Sequence, residues 1–486
     1  MTNDTAGSVL SGPEAGARVI RGGAARVAAY GASVALAAAT SVVLLRYLGV
    51  ERFGVFATVG AIIGVVAGAT DAGLGIVGNR ELARAGGADR LRVLNALVAL
   101  RLLLTPAGTL AAVAFAIVAG YDRVVVLGIL LAGAGVVVLN VHVTLAQLLA
   151  VDLRLVVLSG LDLARAALTF AGVAVLAAAG AGLLSFFGVG IGVALVLLAI
   201  TPFIIPAARN CRPQAGRVMW TLLRTAAPLG LALAMNVVYF RVLVVVTSLV
   251  GTATAVGHFG TSFRIIELLA ALPYVLLSAA LPMLAVDAQE DVGRFVRVGV
   301  RLTETALTVG LGLALLTASL AEPVVLLVGG EPYRGAAPVL QIQALALVPL
   351  FLATAWTLIL VALGSMRALA FANAGALVLV VGVGIPLVAA DGARGAAVAA
   401  VTAEAVLAAA IGVVLTRVAP GQLRIPERAP RVLAAAAAGA ATAVVVPHAL
   451  LSGVAAGAVY STALVLLRAV PPELTEQVRA LKRMKG

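Results

Sequence analysis

Apolar residues run in blocks of about twenty along nearly the whole chain, divided by short polar stretches, a pattern that predicts helices able to cross a bilayer. Six blocks fall near 24–48, 53–77, 93–119, 124–151, 156–180 and 183–208. Eight more follow near 221–250, 255–286, 299–328, 337–363, 368–389, 394–418, 431–447 and 449–470. The last two are short and alanine-rich, with only Pro447 and His448 between them, so they read either as two spans or as one re-entrant hairpin. Residues 1–21 are polar and rich in small residues, a composition that predicts a disordered tail. No apolar run precedes Ala24, which argues against a cleaved signal peptide. Residues 471–486 form a basic tail.

The polar breaks carry an orientation. Arg80, Arg84, Arg90 and Arg92 follow the second span, Arg209, Arg212 and Arg217 the sixth, Arg294 and Arg297 the eighth, and Arg424, Arg428 and Arg431 the twelfth. Loops after odd-numbered spans offer Arg52, Arg123, Arg334 and Arg394 singly. Cytoplasmic loops collect Lys and Arg, so both termini are expected in the cytoplasm.

A weak repeat lies six spans apart. Gly49 to Phe56 joins the first two spans as Gly251 to Phe259 joins the seventh and eighth, and Gly180 opens the sixth as Gly392 opens the twelfth. The expected organisation is an all-α polytopic membrane protein of about fourteen transmembrane helices. A cytoplasmic tail (1–21) precedes two pseudo-symmetric six-helix lobes (22–215 and 216–420), an added helix pair (421–470) and the basic tail.

Composition narrows the class. The 486 residues are 62% hydrophobic and 11% charged, far from a soluble domain. The formal charge of +13 sits at span ends without an aromatic-interleaved basic face, so no nucleic-acid partner is expected. Cys211 is the sole cysteine, and His142, His258 and His448 are far apart; with no GxSxG, Walker A or HExxH sequence, no enzyme activity, cofactor or metal site is assigned.

The informative residues are charges inside apolar segments. Arg101 and Arg165 each lie about nine residues, roughly 13 Å, into the third and fifth spans. Arg241 sits mid-way along the seventh, and Arg264 with Glu267 inside the eighth. Each such charge costs about 2.5 to 3.5 kcal/mol on insertion scales, so it faces a partner or a wet cavity. Structural pairing is one reading, since Asp162 with Arg165 and Arg264 with Glu267 stand at i,i+3. Collectively the guanidinium forks suit a large anion, because they match phosphate bidentately. Asn140, Thr144 and Gln147 share one face of the fourth span, and Asn236 and Tyr239 one face of the seventh, either lining that cavity or bonding between helices. Glu267, Glu304 and Glu404 are embedded carboxylates able to bind H⁺ or Na⁺, with a structural role the competing reading for Glu304. Asp71, in the glycine-rich TDAGLG, reads first as a local cap.

Several stretches carry a resemblance: LLRYLGVERFGVF (44–56), DAGLG (71–75), APLGLALAMNVVYFR (227–241), VGHFGTSFRIIELLAALP (256–273) and LLVGGEPYRGAAPVLQIQALAL (326–347). In this order the chain resembles the Wzx-type polysaccharide flippases of the multidrug/oligosaccharidyl-lipid/polysaccharide (MOP) exporter superfamily over about 400 residues. The resemblance implies two lobes arranged in a V and alternating access, moving a polyprenyl-pyrophosphate-linked glycan between leaflets of a bacterial inner membrane. Arg101, Arg165, Arg241 and Arg264 match positions of cavity cations in that family. Membrane lipid, H⁺ or Na⁺, and the polymerase and glycosyltransferases of the same pathway are the implied partners. Val242 departs from the family, where an acidic residue often follows the Tyr-x-Arg of the seventh span. A lipid II flippase, a multidrug exporter of the same superfamily and a non-transporting scaffold are the competing readings.

Overall fold

The computed structural model describes residues 13–71, 73–419 and 427–470; residues 1–12, Arg424 and the basic C-terminal tail lie outside them. The first helix begins at Pro13, so 13–21, expected to be part of a disordered tail, instead extend the first span as helix. All regular elements among the described residues are helical. Among the described residues, ten helices are long and apolar enough to cross a membrane. Two of these are each two spans joined at a kink: one at Gly49 (φ 71°), the other at Asp391 and Gly392 (φ 51° at the glycine). Only glycine takes such left-handed backbone without strain, so the chain reverses there with almost no loop. Counting both kinked helices as pairs, and adding the bent pair 331–362 and the short apolar helix Ala429–Val445, gives the fourteen spans expected from the apolar blocks. This is a multi-pass membrane protein.

The chain forms two compact units, one of residues 1–48 and 59–237, the other of 49–58 and 238–486. The division falls inside the second and seventh spans, whereas the expected lobe boundary at 215/216 lies in the loop before the seventh.

Unit one contains parts of α1 (Pro13–Asp71), then α2 (Leu74–Arg84), α3 (Gly87–Val118), α4 (Arg123–Val151), α5 (Leu155–Ala178), α6 (Leu183–Ile204) and the first half of α7 (Arg217–Val250). Helix α4 is its centre, packed on α2, α3, α5 and α6. Apolar side chains are no driving force for association in lipid, so close packing of small residues must supply it. Gly133 accordingly lies under the Thr109 side chain of α3, and Gly135 against the Gly190 backbone of α6. His142 Nδ1, 2.7 Å from Thr201 Oγ1, adds a polar link between α4 and α6. At the end bearing the α3 N-terminus, Leu74, Leu82, Leu94, Leu97, Leu149 and Leu197 form a core that also takes Leu222 and Ala226 of α7.

Unit two holds the rest of α7, then α8 (Ala253–Ala270), α9 (Leu272–Leu277), α10 (Leu281–Glu290), α11 (Val292–Ser319), α12 (Ala321–Gly329), α13 (Ala337–Ala344), α14 (Leu347–Ala362), α15 (Met366–Val418), α16 (Ala429–Val445) and α17 (Ala449–Leu466). Thr252 caps α8 by accepting from the Ala255 N–H (3.1 Å), and Asp291 caps α11 by accepting from that of Arg294 (2.9 Å), each satisfying an N–H that the helix leaves open. The expected eighth span is broken: Pro273 and Pro282 each open a new helical segment, and a 3₁₀ turn at Ser278–Ala280 joins them. The C-terminal pair α16 and α17 packs on α11, where Tyr460 donates to the Thr308 carbonyl (2.6 Å).

Candidate functional site

In unit two, Arg241 on α7 and Arg264 on α8 converge on one carboxylate. Arg241 Nη2 donates to Glu267 Oε1 at 2.7 Å, and Arg264 Nη1 to Oε2 at 2.9 Å. The α8 pair follows from i,i+3 spacing; the α7 partner does not, because it depends on how the two helices rotate against each other. The side chains of Arg241 and Arg264 are 27% and 44% exposed, so both forks can be reached from outside the packed helices.

Close to this triad in sequence, Tyr239 points elsewhere. It lines a cavity of about 50 Å³ together with Gln343 of α13 and Glu404 of α15. That volume admits a water or a bare cation. Glu404 is buried, and its Oε2 has no hydrogen-bond partner; the Tyr239 hydroxyl lies near enough to interact electrostatically, yet without hydrogen-bond geometry. Ser262 Oγ donates to Gln343 Oε1 at 2.5 Å on the same side. Gln343 and Ser262 were not singled out in the sequence, where a lone Gln and a lone Ser carry no periodic signal. Asn236 is exposed while Tyr239 is buried, so the two have different surroundings despite their spacing. Glu304 is buried and accepts from Arg428 Nη1 at 3.1 Å, tying α11 to the start of α16.

Unit one gathers a second polar group. Arg101 is 3% exposed and forms an ion pair with Asp71 at the end of α1. Its Nη1 donates to the Thr70 carbonyl and its Nε to Thr144 Oγ1, both at 3.3 Å. Asp71, expected first as a cap, is thus the counter-ion of a buried cation. Asn140 donates to Thr105 Oγ1 at 3.0 Å. Asn140 and the buried Thr144 of α4 therefore look toward α3, while buried Gln147 lies against Gly78 of α2 with its Oε1 lacking a hydrogen-bond partner. Arg165 lies apart from this group. Its guanidinium is 47% exposed and stands 4.0 Å from Asp162, at the limit of an ion pair.

Comparison with known proteins adds to this geometry. No family profile matches the chain, and no curated protein matches it. Solved structures do. A lipid II flippase, MurJ, in an inward closed conformation superposes with a TM-score of 0.71 at 12% identity, over 91% of this chain and 98% of the other. An inward-facing multidrug resistance MATE transporter of the MOP superfamily gives 0.63 at 16%, over 79% and 94%. A eukaryotic MATE transporter gives 0.55 at 16%, over 84% and 99%. The chain shares their fold. At these identities the likeness extends to architecture, and the arginine triad and the Glu404 cavity rest on this chain's own geometry.

Proposed function

We propose that the protein is a membrane transporter that flips a polyprenyl-pyrophosphate-linked oligosaccharide from the cytoplasmic to the outer leaflet of a bacterial inner membrane, for surface polysaccharide synthesis. The observation that carries the reading is the convergence of Arg241 and Arg264 on Glu267, inside apolar segments and partly exposed. A pyrophosphate entering there has two planar forks within reach of one another, and each can bind phosphate oxygens bidentately. Arg101 and Arg165 are proposed to complete anion handling in unit one, with Arg101 held by Asp71 and Arg165 the more accessible. The basic loops support an orientation with both termini in the cytoplasm, which reporter fusions after Pro420 and Gly486 test; an external signal at either refutes it.

Energy is proposed to come from H⁺ or Na⁺ at Glu404. Glu267 and Glu304 are each tied to arginine, whereas Glu404 faces a small cavity with a buried oxygen unbonded. A carboxylate in that position binds a cation in one conformation and releases it in another, and such differential binding is what drives a change of state.

A second reading is a lipid II flippase, favoured by the extent of the superposition with MurJ. Depletion of the protein in its host decides between them. Accumulation of the lipid-linked oligosaccharide with loss of surface glycan supports the main reading; arrested peptidoglycan with glycan intact supports the second. Altered sensitivity to cationic drugs with both polymers intact sinks both.

A further inference from the structure

At the end of unit one that carries the α3 N-terminus lies a cavity of about 310 Å³, set against the leucine core there and separate from the polar groups described above. It opens between the start of α3, the turn from α4 to α5 and the 3₁₀ turn Pro206–Asn210. Its floor is apolar, with Leu94, Leu148, Leu149 and Ile205 all buried. Its wall is cationic and polar. Arg90 Nη2 donates to Asp152 Oδ1 at 2.7 Å, while its Nε is buried without a hydrogen-bond partner. Arg154 is exposed, donates through Nη1 to the Ile204 carbonyl at 3.3 Å, and has no carboxylate partner among the described residues.

The local backbone makes this arrangement unusual. Helix α4 ends with Arg154 N–H bonded to the Leu149 carbonyl and Leu153 N–H to that of Ala150, the double closure that normally places glycine in the left-handed position. Here Leu153 occupies it, with φ 55°. A leucine in that conformation is strained, and such strain gathers at binding sites. Its result is that Asp152 and Arg154 flank the cavity. Arg154 also immediately precedes α5, where the helix dipole disfavours a cation and favours an anion. The α3 N-terminus, which likewise lacks a side-chain cap, begins at Gly87 on the same wall.

We infer that this cavity binds a phosphate group, gripped by Arg154 and Arg90, with the apolar floor receiving the carbon skeleton that bears it. Phosphate takes the Arg154 fork and the Arg90 Nη2 that Asp152, 47% exposed, gives up as it turns toward water. An apolar floor beneath a cationic rim suits an amphiphile, so the phosphate belongs either to an anionic phospholipid head group of the adjoining leaflet or to a soluble phosphorylated compound. The cavity is independent of the transported substrate, and its failure would leave the flippase reading untouched.

The test uses the purified full-length chain in neutral detergent, following the melting temperature in titrations with phosphatidylglycerol, phosphatidylcholine and, at constant ionic strength, inorganic phosphate or glycerol 3-phosphate. Phosphatidylglycerol is expected to stabilise the wild type where phosphatidylcholine does not. Arg154→Gln is expected to weaken that binding at least tenfold, Arg154→Lys less. Asp152→Asn, which removes the competing carboxylate, is expected to tighten it several-fold, a gain that misfolding cannot produce. Stabilisation by the soluble phosphates alone, lost in Arg154→Gln, assigns the site to a soluble ligand. If Arg154→Gln and Asp152→Asn bind every phosphate probe as the wild type does, or no probe binds, the inference is wrong.

Discussion

Gly54 and Gly257 bring the backbones of α1 and α8 into direct contact within unit two: a Cβ on Gly54 would collide with the Ala253 carbonyl oxygen, and one on Gly257 with that of Val50. These glycines belong to GVERFGVF and GTATAVGHF, the stretches related by the weak six-span repeat. The two copies pack on each other, which gives both glycines a steric reason. Gly257→Val is therefore expected to cost about 1 to 3 kcal/mol through overpacking. Gly31→Ala, with nothing within 4 Å, should be neutral or slightly stabilising. Apparent melting temperatures of the purified variants check this, and equal values for the two would contradict it.

Arg101 and Asp71 should respond unequally to truncation. Asp71→Ala strands a buried cation, expected to cost up to about 3 kcal/mol. Arg101→Met leaves a carboxylate that is 38% exposed and can turn to water, so its cost should be smaller. Combining the two should recover stability relative to Asp71→Ala alone, with a coupling of about 0.5 to 3 kcal/mol. Strictly additive losses would mean that the pair contributes nothing specific.

The triad predicts a graded series. Arg241→Ala should weaken binding of a pyrophosphate head group by about 1.5 to 3 kcal/mol, roughly ten- to a hundredfold, and export should fall with it. Arg241→Lys, which keeps charge but loses the fork, should fall between. Glu267→Gln releases both guanidinium groups and should raise head-group affinity. Normal surface glycan from abundant, correctly inserted Arg241→Ala and Arg264→Ala variants would make these arginines structural.

Glu404→Gln keeps the shape of the side chain and removes its charge. In proteoliposomes it is expected to abolish the response of transport to an imposed H⁺ or Na⁺ gradient while leaving head-group binding within about twofold. A gradient response equal to that of the wild type would move the coupling site elsewhere.

The sequence by itself determined that the chain crosses a membrane many times, the approximate ends of most spans and which charges lie within them, because bilayer thickness sets a length that hydropathy records residue by residue. It also determined the Arg264 and Glu267 pair, since i,i+3 neighbours meet on any helix. It did not determine that Glu267 also takes Arg241, 26 positions away, or that Asp71 neutralises Arg101 across 30. Nor did it join Glu404 to Tyr239 and Gln343. Those meetings depend on the rotation and axial register of one helix against another. Span faces here are apolar almost all round, so periodicity leaves that rotation open, and close contacts at Gly54, Gly133 and Gly257 fix it only in the packed structure.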